Sequence, residues 1–341
     1  MVFLRNSWYV AAWSEELASE PLGQKIIGDF VILYRKADGS AVALGDTCPH
    51  RFAPLHRGKI IDDQIQCPYH GLRFDEGGRC AHNPFDPKVK PAAASVRTYP
   101  LVERNGILWI WMGDAEGADP TTIPAFDWIE DREGLDFTAF AQMIQPLNYE
   151  LVIDNLMDLS HGQFLHPTTL GNEAMTEGTT VSRQEGDTVY SARLNPNGEA
   201  PTLFQIGGAV APGERVDFWN DMRWDAPCIY YLQVGIVAPD QPRAQGFYFD
   251  SAHLLTPRDE TSTVYRYLLG RNFARGNPAI TRGMEEVVKT AFTQEDEPMI
   301  AAVQERMAGR DFWAMKPVML KTDKGPVLVR RVMERLIAAE A

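Results

Sequence analysis

Two short clusters of cysteine and histidine constrain the fold of this chain more than any other feature of its sequence. Cys48-Pro49-His50 and Cys67-Pro68-Tyr69-His70 each offer one thiolate and one imidazole, and sixteen residues separate them. A fold that uses both clusters at one metal centre must bring two loops together. Hairpin tips would do this, because the flanking residues form short apolar runs between Gly and Pro turns.

The four ligands suit an iron–sulfur cluster better than a zinc ion. Two cysteines on one iron and two histidines on the other are the ligand set of a Rieske-type [2Fe–2S] cluster. We therefore assign Cys48 and Cys67 to one iron, and His50 and His70 to the other. A structural zinc site is the alternative, but zinc fingers usually present two cysteines and then two histidines, at looser spacing.

The composition is that of an ordinary globular chain with about two domains. No apolar run approaches the ~20 residues of a membrane span, and the N-terminus lacks the basic-then-apolar order of a signal peptide. Cys80 and Cys228 belong to no evident disulfide framework, which fits a reducing compartment. We therefore expect a cytoplasmic protein with no membrane partner.

The net charge of −13 is unevenly distributed. Residues 1–115 carry 13 basic and 13 acidic residues, which leaves 20 basic and 33 acidic residues in the rest of the chain. Nucleic acid is therefore not expected as a partner. Basic residues near the ligand loops could steer an acidic redox protein, although a solvated loop face explains them equally well.

Local patterns predict an α+β chain. Residues 24–44 read as a hairpin, and residues 106–111 as a further buried strand. Short strands with Gly and Pro turns predict an all-β domain over residues 1–115, followed by a turn-rich linker over residues 116–135. The remaining residues, 136–341, form a larger domain whose β-like runs predict an antiparallel sheet.

A helix predicted over residues 148–165 carries the next group of chemical side chains. On one helix, Asp154, Asp158 and His161 would share a face at positions i, i+4 and i+7. His166 would point about 140° away from His161 on a regular helix. The helix must therefore end or distort between the two histidines if both bind one metal. Two hydrogen-bonded core histidines are the alternative.

A second helix, predicted over about residues 280–309, offers a carboxylate as a third ligand. An acid on an apolar stripe is costly unless it is paired or metal-bound. This argument favours Asp296 over Glu297 and leaves Glu295 as a rival. Two imidazoles and one carboxylate occupy one face of Fe(II) and leave positions open for O₂. The stripe consists of Val288, Phe292, Asp296, Met299 and Val303.

Together these motifs resemble those of the Rieske non-haem iron oxygenases. The likeness is to the aryl O-demethylase branch, which includes the oxygenase components of vanillate and dicamba demethylases and toluenesulfonate methyl-monooxygenase. It covers nearly the whole chain. It implies an N-terminal all-β Rieske [2Fe–2S] domain followed by a START-like helix-grip catalytic domain with an antiparallel sheet. It also implies one cluster per chain and one mononuclear Fe(II), bound by His161, His166 and Asp296.

The resemblance implies a terminal oxygenase of a multi-component monooxygenase. Electrons from NAD(P)H would arrive through a separate flavin and iron–sulfur reductase, with or without a ferredoxin, since no Gly-x-Gly-x-x-Gly fingerprint after a strand marks a nucleotide site here. The expected reaction is hydroxylation of the methyl group of a methoxylated aromatic acid such as vanillate, which releases formaldehyde and a phenol. Ring hydroxylation, aryl-methyl oxidation and N-demethylation are alternatives. A pure electron-transfer Rieske protein would leave the second domain unexplained.

The resemblance further implies a head-to-tail homotrimer in which His70 of one subunit bonds Asp158 of the next. Asp158 would then be the electron-transfer bridge to His161, the alternative being a solvated helix carboxylate. His253 aligns with a substrate contact of relatives and Gln233 lies near another, although His253 could equally be an ordinary strand residue. Candidates for an aryl pocket, or for plain core, are Phe204, Phe218, Trp219, Tyr230, Tyr248 and Phe249.

Overall fold

The computed structural model describes residues 3–88, 91, 93–131, 133–171 and 178–340. The chain divides into two compact units. The first unit runs to Glu130 and also takes in Thr256–Asp259 and Glu340, whereas the second comprises Asp131–Leu255 and Glu260–Ala339. Residues 116–130, which belong to the predicted linker, lie within the first unit.

Within the described residues, the first unit contains three antiparallel sheets and the single-turn helix α1, Asp127–Glu130. Its strands are β1 Trp8–Trp13, β2 Leu22–Ile26, β3 Asp29–Arg35, β4 Ala41–Gly45, β5 Lys59–Ile61, β6 Gln64–Gln66, β7 Arg73–Phe74, β8 Cys80–His82, β9 Thr98–Tyr99, β10 Leu101–Arg104 and β11 Ile107–Trp111. The sheet orders are β1-β11-β10, β2-β3-β4-β9 and β5-β6-β7-β8. The prediction of an all-β N-terminal domain is confirmed.

The two ligand loops occupy different connections. The loop with Cys67 joins the paired strands β6 and β7, as predicted for a hairpin tip. The loop with Cys48 instead crosses from β4 to β5, which belong to different sheets, so that part of the prediction is wrong. The Cys48 loop closes on itself, because the Cys48 N–H donates to the Ala53 carbonyl at 2.9 Å and Thr47 pairs with Pro54.

The second unit is built on an eight-stranded antiparallel sheet. Its strands are β12 Asp136–Phe137, β13 Ala141–Gln145, β14 Thr179–Glu185, β15 Thr188–Glu199, β16 Arg215–Asp225, β17 Ile229–Val237, β18 Phe247–Asp259 and β19 Ser262–Arg271. The order is β12-β19-β18-β17-β16-β15-β14, and β13 also pairs with β19. The predicted α+β class and antiparallel catalytic sheet are thus confirmed.

Helices of the second unit carry or support the functional side chains. They are α2 Tyr149–Met157, α3 Gly162–Leu165, α4 Thr202–Ile206, α5 Pro278–Thr290, a π-helical turn Ala291–Asp296, α6 Glu297–Met307 and α7 Lys324–Ala339. Helix α7 is absent from the sequence prediction. It approaches the sheet closely at Gly325, where an added Cβ would lie 3.2 Å from the Ser191 hydroxyl on β15. No helix of the described residues is both long and apolar enough to cross a membrane.

Candidate active site

The cysteines of the two ligand loops are buried side by side. Cys48 and Cys67 are each 1% exposed and belong to one apolar cluster, and the two thiols lie within hydrogen-bonding reach of each other. The histidines are more accessible, and the rings of His50 and His70 meet edge to face with centroids 4.6 Å apart. The structure therefore brings all four predicted cluster ligands together.

Two features of this cluster site fit a bound iron–sulfur group. Burial raises the pKa of the Cys48 thiol to about 11, although backbone N–H groups of His50 and Arg51 favour the thiolate. A thiolate there needs nearby positive charge, which metal ions supply. In addition, Nδ1 of His70 is buried and has no hydrogen-bond partner among the described residues. Such an orphaned nitrogen is a natural ligand atom.

Helix α2 ends earlier than the sequence predicts. Asn148 caps its first turn by accepting a hydrogen bond from the Glu150 N–H at 2.9 Å, and the helix stops at Met157 because Asp158 adopts an extended conformation. Asp158 and His161 therefore do not share a face of one continuous helix, and that prediction is wrong. The turn that follows α2 carries His161 instead.

The two histidines flank the four-residue helix α3. They therefore do not lie on one regular helix, where their five-residue spacing would point them apart. His161 is the residue before α3 and His166 the residue after it. Their Nε2 atoms lie 3.2 Å apart. His161 Nδ1 lies 2.6 Å from the Asp158 carbonyl oxygen, and His166 Nδ1 lies 2.7 Å from Glu295 Oε2. Because both partners only accept hydrogen bonds, both Nδ1 atoms carry the proton and both Nε2 lone pairs face a common point.

Asp296 reaches the same point from the last residue of the π-helical turn. Pro298 explains this turn, because it has no N–H to donate to the carbonyl four residues back and its ring crowds that carbonyl. The Glu297 N–H bonds instead to the Phe292 carbonyl, five residues back. The inserted residue rotates the following helix. Val288 and Asp296 are buried, but Met299 and Val303 of the predicted stripe are 53% and 42% exposed, so the stripe is wrong beyond the turn.

The three groups fit a single metal ion. Asp296 Oδ1 lies 3.2 Å from His166 Nε2 and 3.7 Å from His161 Nε2, and one ligand atom of each residue lies within 4.8 Å of the others. Two nitrogens bound at right angles to one metal, each at about 2.1 Å, are about 3 Å apart. Burial lowers the pKa of His166, but Asp296 and Glu295 outweigh it and raise the pKa overall.

Two residues that support these ligands were not identified from sequence in that role. Glu295, considered only as a rival ligand, accepts hydrogen bonds from His166 and from the Thr169 hydroxyl, each at 2.7 Å. The Asn155 amide donates to Asp296 Oδ1 at 3.0 Å. Metal-binding histidines commonly donate their second N–H to a carboxylate. The adjacent Glu295-Asp296 pair was the available signal for this arrangement.

The two aspartates of the 148–165 segment have different surroundings. Asp158 is 30% exposed, and its Oδ1 accepts hydrogen bonds from the Ser160 N–H and hydroxyl. Asp154 turns away toward α7, where Arg330 Nε lies 2.9 Å from Asp154 Oδ1. Burial raises the pKa of Asp154 to about 6, and Arg330 opposes that shift. Asp154 is therefore a structural anchor.

A cavity of about 130 Å³ borders the three candidate ligands. An engineered apolar cavity of ~150 Å³ holds benzene, so the space suits one aromatic ring. Its walls are mostly apolar and include Phe204, Phe218 and Phe249, as predicted for an aryl pocket. The other three predicted aromatics are not among the residues that line it: Trp219, Tyr230 and Tyr248.

Of the two predicted substrate contacts, the structure brings one to the cavity. His253 lines it and is 4% exposed. Gln233 lies on the opposite face of the sheet, where its amide donates to Asp250 at 3.0 Å and accepts from the Trp219 indole at 3.2 Å. It is therefore a structural residue of the outer face. Leu232, its neighbour on β17, lines the cavity instead.

A Rieske-type domain joined to a domain that gathers two histidines and a carboxylate at an apolar cavity defines a Rieske non-haem iron oxygenase. Residues 7–100 match the Rieske [2Fe-2S] domain, and residues 147–339 match the vanillate O-demethylase oxygenase C-terminal domain. The chain belongs to the vanillate O-demethylase oxygenase family, as the sequence motifs predicted.

Relatives of known activity are similar over their whole length. The oxygenase component of dicamba O-demethylase from Stenotrophomonas maltophilia is 37% identical, with 100% of both chains covered. The oxygenase component of chloroacetanilide N-alkylformylase from Rhizorhabdus wittichii is 36% identical, with 99% of this chain and 97% of the relative covered. A crystal structure of dicamba monooxygenase bound to 3,6-dichlorosalicylic acid has a TM-score of 0.94 at 35% identity, covering 100% of this chain and 99% of that one.

Proposed function

We propose that this chain is the terminal oxygenase of a multi-component monooxygenase that demethylates an aryl methyl ether. The main support for this proposal is that His161, His166 and Asp296 converge at a cavity sized for one aromatic ring. The balanced reaction consumes the ether, O₂, two electrons and two protons, and yields a phenol, formaldehyde and water. Electrons come from NAD(P)H through a separate reductase, with or without a ferredoxin, in keeping with relatives named as oxygenase components.

Each metal group has a defined set of candidate ligands in the chain. When bound, the cluster supplies electrons and the mononuclear iron activates O₂. The cluster ligands would be Cys48, His50, Cys67 and His70, and the iron ligands His161, His166 and Asp296.

The remaining residues of the site orient the histidine ligands and enclose the substrate. The Asp158 carbonyl and the Glu295 carboxylate hold the two imidazoles in the tautomer that presents Nε2 to the metal. Apolar side chains such as Phe218 and Phe249 line the cavity and keep it dry. They would hold the ring so that the methyl group, and not a ring carbon, faces the metal site. A hydroxylated methoxy carbon is a hemiacetal, which collapses to formaldehyde and the phenol.

The test of this function is formaldehyde release from a panel of methoxyarenes, with a surrogate reductase and NADH. We expect formaldehyde and the phenol in equal amounts. His166→Ala should keep the cluster absorbance and release none. A hydroxylated ring with the methoxy group intact would instead establish ring hydroxylation.

We propose further that the chain acts as a head-to-tail homotrimer. Around the ligand loops of the first unit, three aromatic side chains are widely exposed: Phe52 at 78%, Tyr69 at 64% and Phe85 at 76%. Around Asp158 of the second unit lies an apolar groove that includes Met299, Val303, Val318 and Met319, of which Val318 is 85% exposed. Exposed apolar patches of this kind mark protein interfaces.

In this arrangement Asp158 is the bridge between the cluster of one subunit and the metal site of the next. Its partly exposed carboxylate can accept a hydrogen bond from an incoming His70, while its carbonyl already accepts one from His161. The expected cytoplasmic location stays a prediction.

Complementation tests the head-to-tail arrangement. Cys67→Ser removes the cluster site and His166→Ala removes the metal site, so neither variant alone should turn over substrate. Co-expressed, they should regain part of the wild-type rate, because a cluster-bearing chain can serve its neighbour's intact metal site. A co-expressed rate no higher than that of the separate variants would show that each chain uses its own cluster.

A further inference from the structure

A buried tyrosine and a buried histidine form a hydrogen-bonded pair behind the wall of the cavity. His253 on β18 lines the cavity, and its Nδ1 lies 2.7 Å from the hydroxyl oxygen of Tyr265 on β19. Tyr265 is 2% exposed and is not among the residues that line the cavity. Tyr265 therefore does not contact a substrate, and its hydroxyl has no part in the demethylation proposed above.

The direction of the hydrogen bonds follows from the neighbours of the histidine ring. The Ser251 hydroxyl donates its proton to the Leu232 carbonyl at 3.1 Å, so its oxygen accepts from His253 Nε2 at 2.9 Å. His253 Nδ1 is then unprotonated and accepts the hydrogen bond from the Tyr265 hydroxyl. Burial lowers the pKa of His253 to about 4, which keeps the ring neutral near pH 7. The Tyr265 proton thus faces the lone pair of a neutral base.

This geometry favours loss of an electron from Tyr265 together with its proton. Burial raises the pKa of Tyr265 well above its usual value of about 10, so the phenol does not ionise beforehand. An oxidised phenol, however, is a very strong acid, and His253 is a far stronger base than the phenol radical cation. Transfer of the proton along the existing hydrogen bond leaves a neutral phenoxyl group in the protein interior, where an unpaired charge would be costly.

Packed aromatic rings connect Tyr265 to the metal site. The ring of Tyr265 stacks on that of Phe292, with centroids 5.0 Å apart and an angle of 24° between the planes. Phe292 lines the cavity and lies on the π-helical turn, four residues before Asp296. Both Tyr265 and His253 lie within reach of the Asp296 charge. An electron that leaves Tyr265 therefore has a short path through packed side chains to the metal site.

We propose that Tyr265 is a redox-active tyrosine, which gives one electron to an unspent oxidant at the metal site while its proton passes to His253 Nδ1. The oxidant, formed from O₂ or from peroxide, gains that electron. The Tyr265 O–H bond breaks and leaves a neutral tyrosyl radical beside a His253 imidazolium. One electron from the reductase and return of the proton restore the pair. The step draws oxidising power away from the histidine ligands when no methyl group is in place, and it does not depend on which substrate binds.

Freeze-quench EPR of the substrate-free protein tests the proposal. The protein is loaded with iron, its cluster is kept oxidised so that it supplies no electron, and hydrogen peroxide is the oxidant. We expect a tyrosyl radical signal that narrows when the tyrosine rings are deuterated. Tyr265→Phe should lose the signal, and so should His253→Gln, because an amide accepts the hydrogen bond but not the proton. His166→Ala, which lacks the metal site, should give no signal.

Tyr230→Phe is the matched control. Tyr230 is buried and pairs in register with His253 across β17 and β18, but its hydroxyl donates to the Ile153 carbonyl at 3.4 Å. A carbonyl oxygen is too weak a base to take the proton. The Tyr230→Phe variant should therefore keep the wild-type signal.

Two further measurements do not depend on the radical signal. Peptide mass spectrometry after peroxide treatment should find His161 and His166 oxidised several-fold more in Tyr265→Phe than in the wild type. In the metal-free protein, NMR of the ring nitrogens at neutral pH should show a neutral His253 with its proton on Nε2.

Other results overturn the assignment. A proton on Nδ1 of His253, a tyrosyl signal that persists in Tyr265→Phe, or a signal lost in Tyr230→Phe would each contradict it. A signal retained in His253→Gln would contradict proton transfer to His253. The proposal also fails if the wild type shows no tyrosyl signal and its histidine ligands are oxidised as much as those of Tyr265→Phe.

Discussion

Removal of the Glu295 carboxylate should weaken iron binding at the mononuclear site without affecting the cluster. Glu295 Oε2 accepts hydrogen bonds from His166 and Thr169, each at 2.7 Å, and His166 is 2% exposed. Glu295→Gln keeps an acceptor but loses its charge. A charge-assisted hydrogen bond is stronger than a neutral one by about 1 kcal/mol, so the metal affinity should fall about fivefold to tenfold.

Glu295→Ala should have a larger effect because it leaves the buried His166 N–H without an acceptor. That costs about 1–3 kcal/mol, which agrees with the 10–100-fold loss of metal affinity typical of such supporting residues. The assay is anaerobic equilibration with a graded series of chelator concentrations, followed by iron analysis. Cluster absorbance gives an internal measure of intact protein.

Glu297→Gln is the matched control, because Glu297 is two residues away and lies at the start of α6. It should hold mononuclear iron as the wild type does. If Glu295→Ala retains iron at the same chelator concentration as the wild type, Glu295 does not support His166, and the argument from hydrogen-bond geometry fails.

Three further predictions follow from single contacts. Asp158→Asn should keep the cluster and the iron, because His161 bonds the main-chain carbonyl of residue 158 and not its side chain. It should lower turnover at least about a hundredfold, because the bridge between cluster and iron is lost. Normal turnover would exclude that role. Burial lowers the pKa of His253 to about 4, so the stability it supports is complete above its unfolded value of about 6.5 and is lost as pH falls toward 4. This amounts to about 2 kcal/mol between pH 7 and pH 5, and His253→Leu should show a correspondingly flatter dependence of melting temperature on pH. Arg330→Met should lower the free energy of unfolding by about 3–5 kcal/mol, since it leaves Asp154 buried without its cation, whereas the double replacement with Asp154→Leu should cost less in denaturant titrations.

The cluster motif could be predicted from sequence because its ligands are local. Each loop contains its cysteine, its histidine and the turn residues that shape it, so no long-range packing has to be known. What the motif could not show is which strands each loop connects. The crossing from β4 to β5 depends on how the three sheets share strands, and the sequence near Cys48 does not encode that choice.

The helical part of the site was predicted in its residues but not in its geometry. Apolar spacing continues past Met157, so periodicity alone gives no signal for the end of α2. The end depends on the extended backbone of Asp158. Pro298 was a usable signal for the π-helical turn, because a proline inside a helical pattern must be accommodated upstream.

The error at Gln233 has a different origin. Strands β17 and β18 are buried on both faces, so hydrophobic alternation does not distinguish the face toward the cavity. A shift of one residue along β17 exchanges Leu232 for Gln233 and changes the apparent chemistry of the cavity.

Iron quantification in the purified holoenzyme tests the central claim most directly. A chain with one [2Fe–2S] cluster and one mononuclear site at His161, His166 and Asp296 should contain about three irons and two acid-labile sulfides. His166→Ala should contain about two irons with the same sulfide. A wild-type value of two irons per chain, unchanged in His166→Ala and not raised by added Fe(II), would contradict the assignment of a mononuclear iron site and the oxygenase mechanism built on it.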